Sequence, residues 1–180
     1  MDSPITVSYR WSADEMVLVN RLHMRYSAQG RKLNRSCRSG GILFVCIGIL
    51  CLCAVGVTTQ KTRAIEYGLA LVSMGAVLLV GVPRVLRRAT LKAYAKRADR
   101  DLLVTYELSE EGLTCKNDVA STDLQWRGVL KAVRTVDGFL LYVSDIQIHW
   151  LPARSFRDPA DANRFAELLK GKVKDYEEVG

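Results

Sequence analysis

Residues 39–60 read SGGILFVCIGILCLCAVGVTTQ and carry no charge, while Arg38 and Lys61 bound the run. Ten of these 22 residues are Leu, Ile, Val or Phe. A helix of this length would measure about 33 Å, enough to cross the roughly 30 Å hydrocarbon core of a bilayer. This stretch therefore predicts a transmembrane helix.

A second apolar run follows, with 17 uncharged residues from Tyr67 to Pro83. It extends to Leu86 when the guanidinium of Arg84 reaches up to the headgroups. The two runs predict a transmembrane hairpin with a short external loop over residues 61–66. The alternative is a helical hairpin buried in a soluble core, but such a helix normally keeps a polar stripe and neither run has one. A signal peptide is not expected, because 38 mostly polar residues precede the first run.

Small residues give little indication of how the two predicted helices pack. Neither run contains a GxxxG motif, and Ala54 with Thr58 forms one small-xxx-small pair. Two helices could line a pore only through oligomerisation, so a homo-oligomer stays an open alternative.

The net charge of +7 is concentrated beside the apolar runs. Residues 21–38 carry six basic side chains and no acid, and residues 84–100 carry seven against Asp99. Residues 101–180 are acidic, with ten basic and fourteen acidic side chains. A nucleic-acid binder would carry its positive face on the folded domain, so no nucleic-acid partner is expected. The positive-inside rule places both basic segments, and with them both termini, in the cytoplasm.

The basic residues nearest the two runs are candidates for contact with acidic lipid headgroups, each worth about 1 kcal/mol near such a surface. These candidates are Arg31, Lys32, Arg35, Arg38, Arg84, Arg88, Lys92 and Lys96. The last four recur every fourth residue, a stripe that predicts a cytosolic continuation of the second helix. The alternative is that the stripe only sets the topology.

The remaining segments predict an antiparallel sheet closed by a helix. Alternation over Ile5–Trp11 indicates a strand, and Ser12 with Glu15 forms a capping box that starts a helix leading toward the first span. Asp158 and Pro159 start a C-terminal helix, whose apolar face is Ala162, Phe165, Leu168, Leu169 and Val173. Between them the pattern predicts strands at Leu102–Leu108, Leu113–Lys116, Val119–Gln125, Val129–Val136, Phe139–Val143 and Ile146–Trp150, with turns at Asn117–Asp118 and Asp137–Gly138.

The predicted fold is thus an α+β membrane protein: a two-helix transmembrane hairpin with a cytosolic antiparallel β meander, or half-barrel, to which the N-terminal strand adds an edge. The expected boundaries are an N-terminal strand and basic helix (1–38), spans at 39–60 and 67–86 around the loop 61–66, a basic juxtamembrane helix (87–100) and a cytosolic domain (101–180).

Three segments resemble the YcxB-like family: LQWRGVLK at 124–131, GFLLYV at 138–143 and LPARSF at 151–156. These are bacterial membrane proteins with an N-terminal strand, two membrane helices and a C-terminal pleckstrin-homology-like domain. In the family a basic residue would follow the proline directly, whereas here Ala153 stands before Arg154. The resemblance implies a multi-pass protein of the bacterial inner membrane and supplies no catalytic residues.

Motifs for catalysis, cofactors or metal are not expected. The sequence contains no nucleophile elbow, P-loop or HExxH, and its five cysteines and two histidines lack the spacing of metal ligands. Aromatic spacing predicts core positions on a small sheet, namely Trp126, Phe139, Tyr142, Trp150 and Phe156. The contrasting hypothesis is an exposed cluster of Trp150, Arg154 and Phe156 that binds a partner.

Two functions follow from these patterns. The first is a non-enzymatic binding module, held at the membrane and presented to a protein, a peptide or a membrane-surface partner. The second is an immunity or other protective protein, or an oligomeric pore component, that acts through its transmembrane hairpin.

Overall fold

The computed structural model describes residues 4–56, 59–97, 100, 102–118 and 120–179. The chain divides into two compact units. The first combines both ends of the sequence, Met1–Val19 with Tyr94–Gly180, and the second is Asn20–Ala93. A helical unit is therefore inserted into the sequence of a mixed α/β unit.

The helices before the sheets are α1 (Ala13–Tyr26), α2 (Ala28–Cys53), α3 (Lys61–Ala76) and α4 (Val82–Ala95). A π-helical turn at Val77–Gly81 joins α3 and α4 into one helix of 35 residues. This helix and α2 are long and apolar enough to cross a membrane, and most of their side chains are exposed. Such exposure does not fit the alternative of a hairpin buried in a soluble core.

The predicted loop at residues 61–66 is wrong, because these residues form the first turns of α3. The first long helix ends at Cys53, not at residue 60, and continues as a 3-10 turn over Ala54–Gly56. Charged residues mark the ends of an apolar run, whereas helix ends depend on the backbone, and Gly56 and Thr59 are poor helix formers. The chain thus leaves the helix inside the uncharged run, and Thr58 of the predicted small-residue pair lies outside the described residues.

The π-helical turn ends two residues before Pro83. Proline has no N–H to donate to the carbonyl of Leu79, and its ring would crowd that carbonyl in a regular α-helix. A widened turn relieves this conflict without ending the helix. The predicted helical continuation beyond Leu86 is confirmed as far as Ala95. Residues 96, 97 and 100 of the predicted juxtamembrane helix are not helical, and residues 98 and 99 lie outside the described part.

The first unit contains two four-stranded sheets and the helix α5 (Pro159–Lys172). One sheet has the antiparallel order β1 (Ile5–Arg10), β2 (Leu103–Leu108), β3 (Gly112–Lys116) and β4 (Ser121–Gln125). The other has the order β7 (Ile148–Pro152), β6 (Gly138–Tyr142), β5 (Lys131–Thr135) and β8 (Asp175–Glu178), in which β8 is parallel to β5. The predicted addition of the N-terminal strand as an edge is confirmed, because β1 pairs with β2 along its whole length.

The predicted helix starts are confirmed by their hydrogen bonds. The amide of Glu15 donates to the hydroxyl of Ser12 at 3.1 Å, and the amide of Ser12 donates to Oε2 of Glu15 at 3.1 Å. At α5, Oδ1 of Asp158 accepts from the amide of Ala160 at 2.8 Å. Both ends satisfy backbone donors that a helix otherwise leaves open.

The core of the first unit involves both sheets and α5. Every residue of β6 is buried, as expected of a strand covered on both faces. On one face, the ring of Phe139 lies 5.0 Å from that of Phe165 in α5, in an edge-to-face arrangement. The core prediction for the five aromatic positions is confirmed, since all of them are buried: Trp126, Phe139, Tyr142, Trp150 and Phe156.

Two turns differ from the prediction. The register pairs Thr135 with Gly138, so the two-residue turn is Val136–Asp137, one residue earlier than expected. Gly138 has a φ of 146° and would bring a β-carbon against the carbonyl oxygen of Leu151, so this glycine is needed as a strand residue rather than a turn residue. At the other turn the register pairs Lys116 with Ser121, so four residues separate β3 from β4 where a two-residue turn at Asn117–Asp118 was expected. Val119, the predicted first residue of β4, lies outside the described residues.

The strand β8 was not predicted, because its sequence DYEE has three acidic residues and one aromatic residue and lacks the apolar alternation of a half-buried strand. It forms because it lies beside a basic strand, as described below.

Candidate functional site

The eight candidate lipid-contact residues are all exposed, and seven of them lie on the helices that contain the apolar runs. Arg31, Lys32, Arg35 and Arg38 lie on α2, Arg84, Arg88 and Lys92 lie on α4, and Lys96 follows α4 in a turn of the first unit. Residues 20–93 hold twelve basic side chains and one acid, Glu66. The helical unit is therefore strongly positive.

A polar contact joins the two basic segments within the second unit. The side-chain amide of Asn20 in α1 donates to the hydroxyl of Thr90 in α4 at 3.0 Å, and this hydroxyl donates to the carbonyl of Leu86 at 2.9 Å. The start of the second unit thus lies beside α4. Its contact residue in α4, Thr90, is close in sequence to Arg87 and Arg88. The contact therefore brings the basic segment that precedes the hairpin close to the basic segment that follows it.

Four glycines set the contact between α2 and α3. A β-carbon at Gly48 would lie 2.8 Å from the carbonyl oxygen of Gly68, and one at Gly75 would lie 2.7 Å from that of Gly41. All four glycines are buried in a hairpin whose other side chains are largely exposed. The two helices therefore approach almost backbone to backbone.

A search for GxxxG misses this interface, because each pair of glycines is separated by seven residues instead of four. A spacing of seven keeps residues on one face of two helices that pack along their length. The sequence does contain the seven-residue spacing, in Gly41 with Gly48 and in Gly68 with Gly75. Only the structure shows that these two pairs face each other in antiparallel register.

The hypothesis of an exposed Trp150, Arg154 and Phe156 cluster is wrong for both aromatic residues. Trp150 is 1% exposed and Phe156 is 8% exposed. Trp150 lies on β7, where it is opposite Leu140 of β6 and its carbonyl accepts from the hydroxyl of Tyr9. Pro152 is buried as well. The segment LPARSF at 151–156 therefore contributes mainly to the core, and Arg154 is left exposed.

Arg154 is the exposed member, and it contacts the N-terminal segment. Its Nε and NH2 atoms donate to Oε1 of Glu15 at 3.1 and 2.8 Å, and NH2 also donates to the carbonyl of Arg10 at 3.2 Å. Glu15 uses its other oxygen for the capping box with Ser12. One carboxylate therefore joins the turn after β7 to the start of α1.

Four titratable side chains lie close together in the first unit: Tyr9 and Tyr106 are buried, and Cys115 and His149 are half-buried. The rings of Tyr9 and Tyr106 are stacked at 6.2 Å, and the hydroxyl of Tyr106 lies 3.4 Å from Nδ1 of His149. Burial raises the pKa of both tyrosines well above its usual value, and it also raises the pKa of Cys115. Burial lowers the pKa of His149 below 6.5. All four groups are thus held in their neutral forms at neutral pH.

An acidic and basic network holds β8 against β5 and α5. Nζ of Lys131 lies 2.7 Å from Oε2 of Glu177 and 3.8 Å from Oδ2 of Asp175. Glu178 lies 3.1 Å from NH1 of Arg134 and 3.5 Å from Nζ of Lys170. All three carboxylates of β8 therefore pair with basic residues of the neighbouring strand or helix.

Metal-ligating side chains do not cluster among the residues that the structure describes, where no group of three His, Cys, Asp or Glu is placed to hold an ion. The cysteines of the described segments are all free thiols.

A protein-family model described as YcxB-like protein matches residues 108–169. The matched region runs from the end of β2 into α5, so it includes β3 to β7 and leaves out β1, β8 and the helical unit. The predicted resemblance is confirmed over this region. No curated protein and no solved structure matches the chain.

Proposed function

We propose that this chain is a non-enzymatic binding module anchored in the bacterial inner membrane. In this proposal the hairpin of α2 and the Lys61–Ala95 helix spans the bilayer and holds a pleckstrin-homology-like unit in the cytoplasm. The partner is a protein or peptide. An anionic polymer or headgroup is a poorer fit to the first unit, which holds 14 basic and 18 acidic residues.

The observation that carries the proposal is the pairing of β1 with β2. The whole helical unit lies between these strands in the sequence. Two strands can form a ladder only on one side of a membrane, so the chain between them must cross an even number of times. Two candidate spans meet that condition.

Charge supports the cytoplasmic side for the sheets. Ten of the twelve basic residues of the second unit lie at 21–38 and 84–92, next to the first unit in the sequence. The opposite end of the hairpin has Lys61 and Arg63 against Glu66. Excess Lys and Arg near membrane helices favours the cytoplasmic face.

Reporter fusions in bacteria test this arrangement. Green fluorescent protein is expected to fluoresce at either terminus, and alkaline phosphatase is expected to be active only when inserted at Thr59. Fluorescence from a fusion at one terminus, together with phosphatase activity from a fusion at the other terminus, would contradict the hairpin. Recovery of the full chain in the supernatant after ultracentrifugation without detergent would contradict the membrane anchor.

A further inference from the structure

The strand β8 covers the edge of β5 with little backbone pairing. It has four residues, Asp175–Glu178, paired in parallel with Lys131–Arg134, and the amide of Val179 adds a bond to the carbonyl of Arg134 at 2.9 Å. Parallel pairs are slightly less stable per residue than antiparallel ones. The backbone alone therefore holds this strand weakly.

Charge contributes the rest of the contact. Lys131 and Arg134 belong to β5 and Lys170 belongs to α5, and together they meet the carboxylates of Asp175, Glu177 and Glu178. The side chains of Lys131 and Arg134 are only 16% and 27% exposed. Without β8, the groove between β5 and α5 would present an open strand edge lined by Lys131, Arg134 and Lys170, the last of which also pairs with Glu167 of α5 at 2.8 Å.

We propose that this groove binds an acidic, extended segment of a partner protein, and that β8 is the chain's own segment occupying it. This inference rests on the proposed binding function and names the class of partner. Strand addition uses the open N–H and C=O groups of an edge for affinity and the side-chain contacts for specificity. The three cations select carboxylates at the positions that Glu177 and Glu178 now hold.

Tyr176 adds a cation–π contact to the ion pairs that hold β8. Its ring lies under Nζ of Lys170, 5.7 Å from the centroid. An aromatic residue at this position of a partner segment would make the same contact with Lys170.

Tethering explains how a weak strand keeps the groove closed. Two residues, Val173 and Lys174, connect α5 to β8, so the local concentration of the strand is of millimolar order. A partner segment must compete with this concentration. The intact chain should therefore bind a free peptide much more weakly than a chain from which β8 has been removed.

The test uses the full-length chain in mild detergent and the chain ended after Lys174. The probe is a fluorescently labelled peptide with the sequence of residues 173–179, VKDYEEV. We expect its affinity, measured by fluorescence anisotropy, to be at least tenfold higher for the shortened chain, and to fall as salt screens the ion pairs. The peptide VKKYKKV, with the three acids reversed, is expected not to bind.

Matched variants assign the binding to the groove. In the shortened chain, Lys131→Glu with Arg134→Glu should abolish binding, while Lys116→Glu on β3 should leave it unchanged. A full-length variant, Glu177→Lys with Glu178→Lys, should release β8 by repulsion and also bind VKDYEEV better than the natural chain does.

The proposal is overturned when a variant that keeps the near-ultraviolet signal of its buried tryptophans binds the peptide no better than the intact chain. It is also overturned when neither variant folds, because β8 is then part of the core and cannot be displaced. These results are independent of the reporter fusions, so a failure of the groove does not imply a failure of the membrane arrangement.

Discussion

At Gly48, a hydrogen atom occupies the place that any other residue would fill with carbon. We expect Gly48→Val to push α2 and α3 apart, because its β-carbon would meet both the carbonyl of Gly68 and the side chain of Val72 at 2.8 Å. Overpacking of this kind costs about 1–3 kcal/mol. The melting temperature in detergent, followed by circular dichroism, should fall by about 2–4 °C for each kcal/mol lost.

Gly40 supplies the matched control, since a β-carbon there meets nothing within 4 Å. Gly40→Val is expected to leave the melting temperature nearly unchanged. Equal losses in the two variants would mean that the cost comes from the residue type in the helix and not from the approach of the two helices.

His149 should make the stability of the first unit depend on pH. Burial lowers the pKa of His149 in the folded chain, whereas the unfolded chain titrates near 6.5. The unfolded state therefore binds the proton more readily, and the contribution of His149 is complete above pH 6.5 and is lost as the pH falls below it. Denaturant midpoints at pH 7.5 and 5.5 should differ less for His149→Gln than for the natural chain.

Tyr106→Phe is the control for this titration, because it removes the hydroxyl near Nδ1 and keeps the ring that buries the imidazole. It should preserve the difference between the two midpoints. A difference that persists in His149→Gln would assign the pH dependence to other groups, including carboxylates.

Among the elements, α1 is fixed at its start by a contact from the far end of the chain. The charged hydrogen bonds between Arg154 and Glu15 should be worth about 0.5–1 kcal/mol, because Glu15 is largely buried but Arg154 is 57% exposed. A double-mutant cycle with Glu15→Gln and Arg154→Gln, read from denaturant midpoints, measures this coupling. Arg157→Gln, an exposed neighbour, should show no coupling to Glu15→Gln.

Local signals predicted most of the elements, because each depends on a few adjacent residues. The capping pairs at Ser12 and Asp158 and the alternation in β1 were sufficient for their elements. The end of α2 and the start of β4 were misplaced, since charge and polarity mark the borders of burial and not of hydrogen bonding.

Long-range contacts could not be predicted in the same way. The strand β8 has no apolar period and exists because Lys131 and Arg134 face it across the sheet. The burial of Trp150 depends on two packed sheets, so a sequence with Arg154 between aromatic residues was compatible with either an exposed cluster or a core. Only the three-dimensional arrangement separates these two cases.

At the scale of the whole molecule, the basic stripe either recognises acidic lipids or only sets orientation. If it recognises lipids, neutralising Arg84, Arg88, Lys92 and Lys96 to glutamine should reduce the acidic lipid that stays bound to the purified chain, measured by native mass spectrometry. Each charge near such a surface contributes about 1 kcal/mol. Retention should not change in the control Lys61→Gln with Arg63→Gln, which alters the opposite end of the hairpin.

Unchanged lipid retention in the quadruple variant, with its orientation in the membrane reversed or mixed in the reporter assay, would favour the topological role alone. In that case the acidic-peptide groove would be the remaining recognition surface of the proposal.

The β1–β2 ladder also constrains how the protein is made. The ribosome synthesises β1 first, yet its hydrogen-bonding partner emerges only after every residue of the helical unit has been translated. If the hairpin spans the bilayer as proposed, a nascent chain whose second helix failed to return would leave β1 on the opposite side from its partner. In the proposed arrangement, only a chain that has made both crossings can therefore complete the ladder.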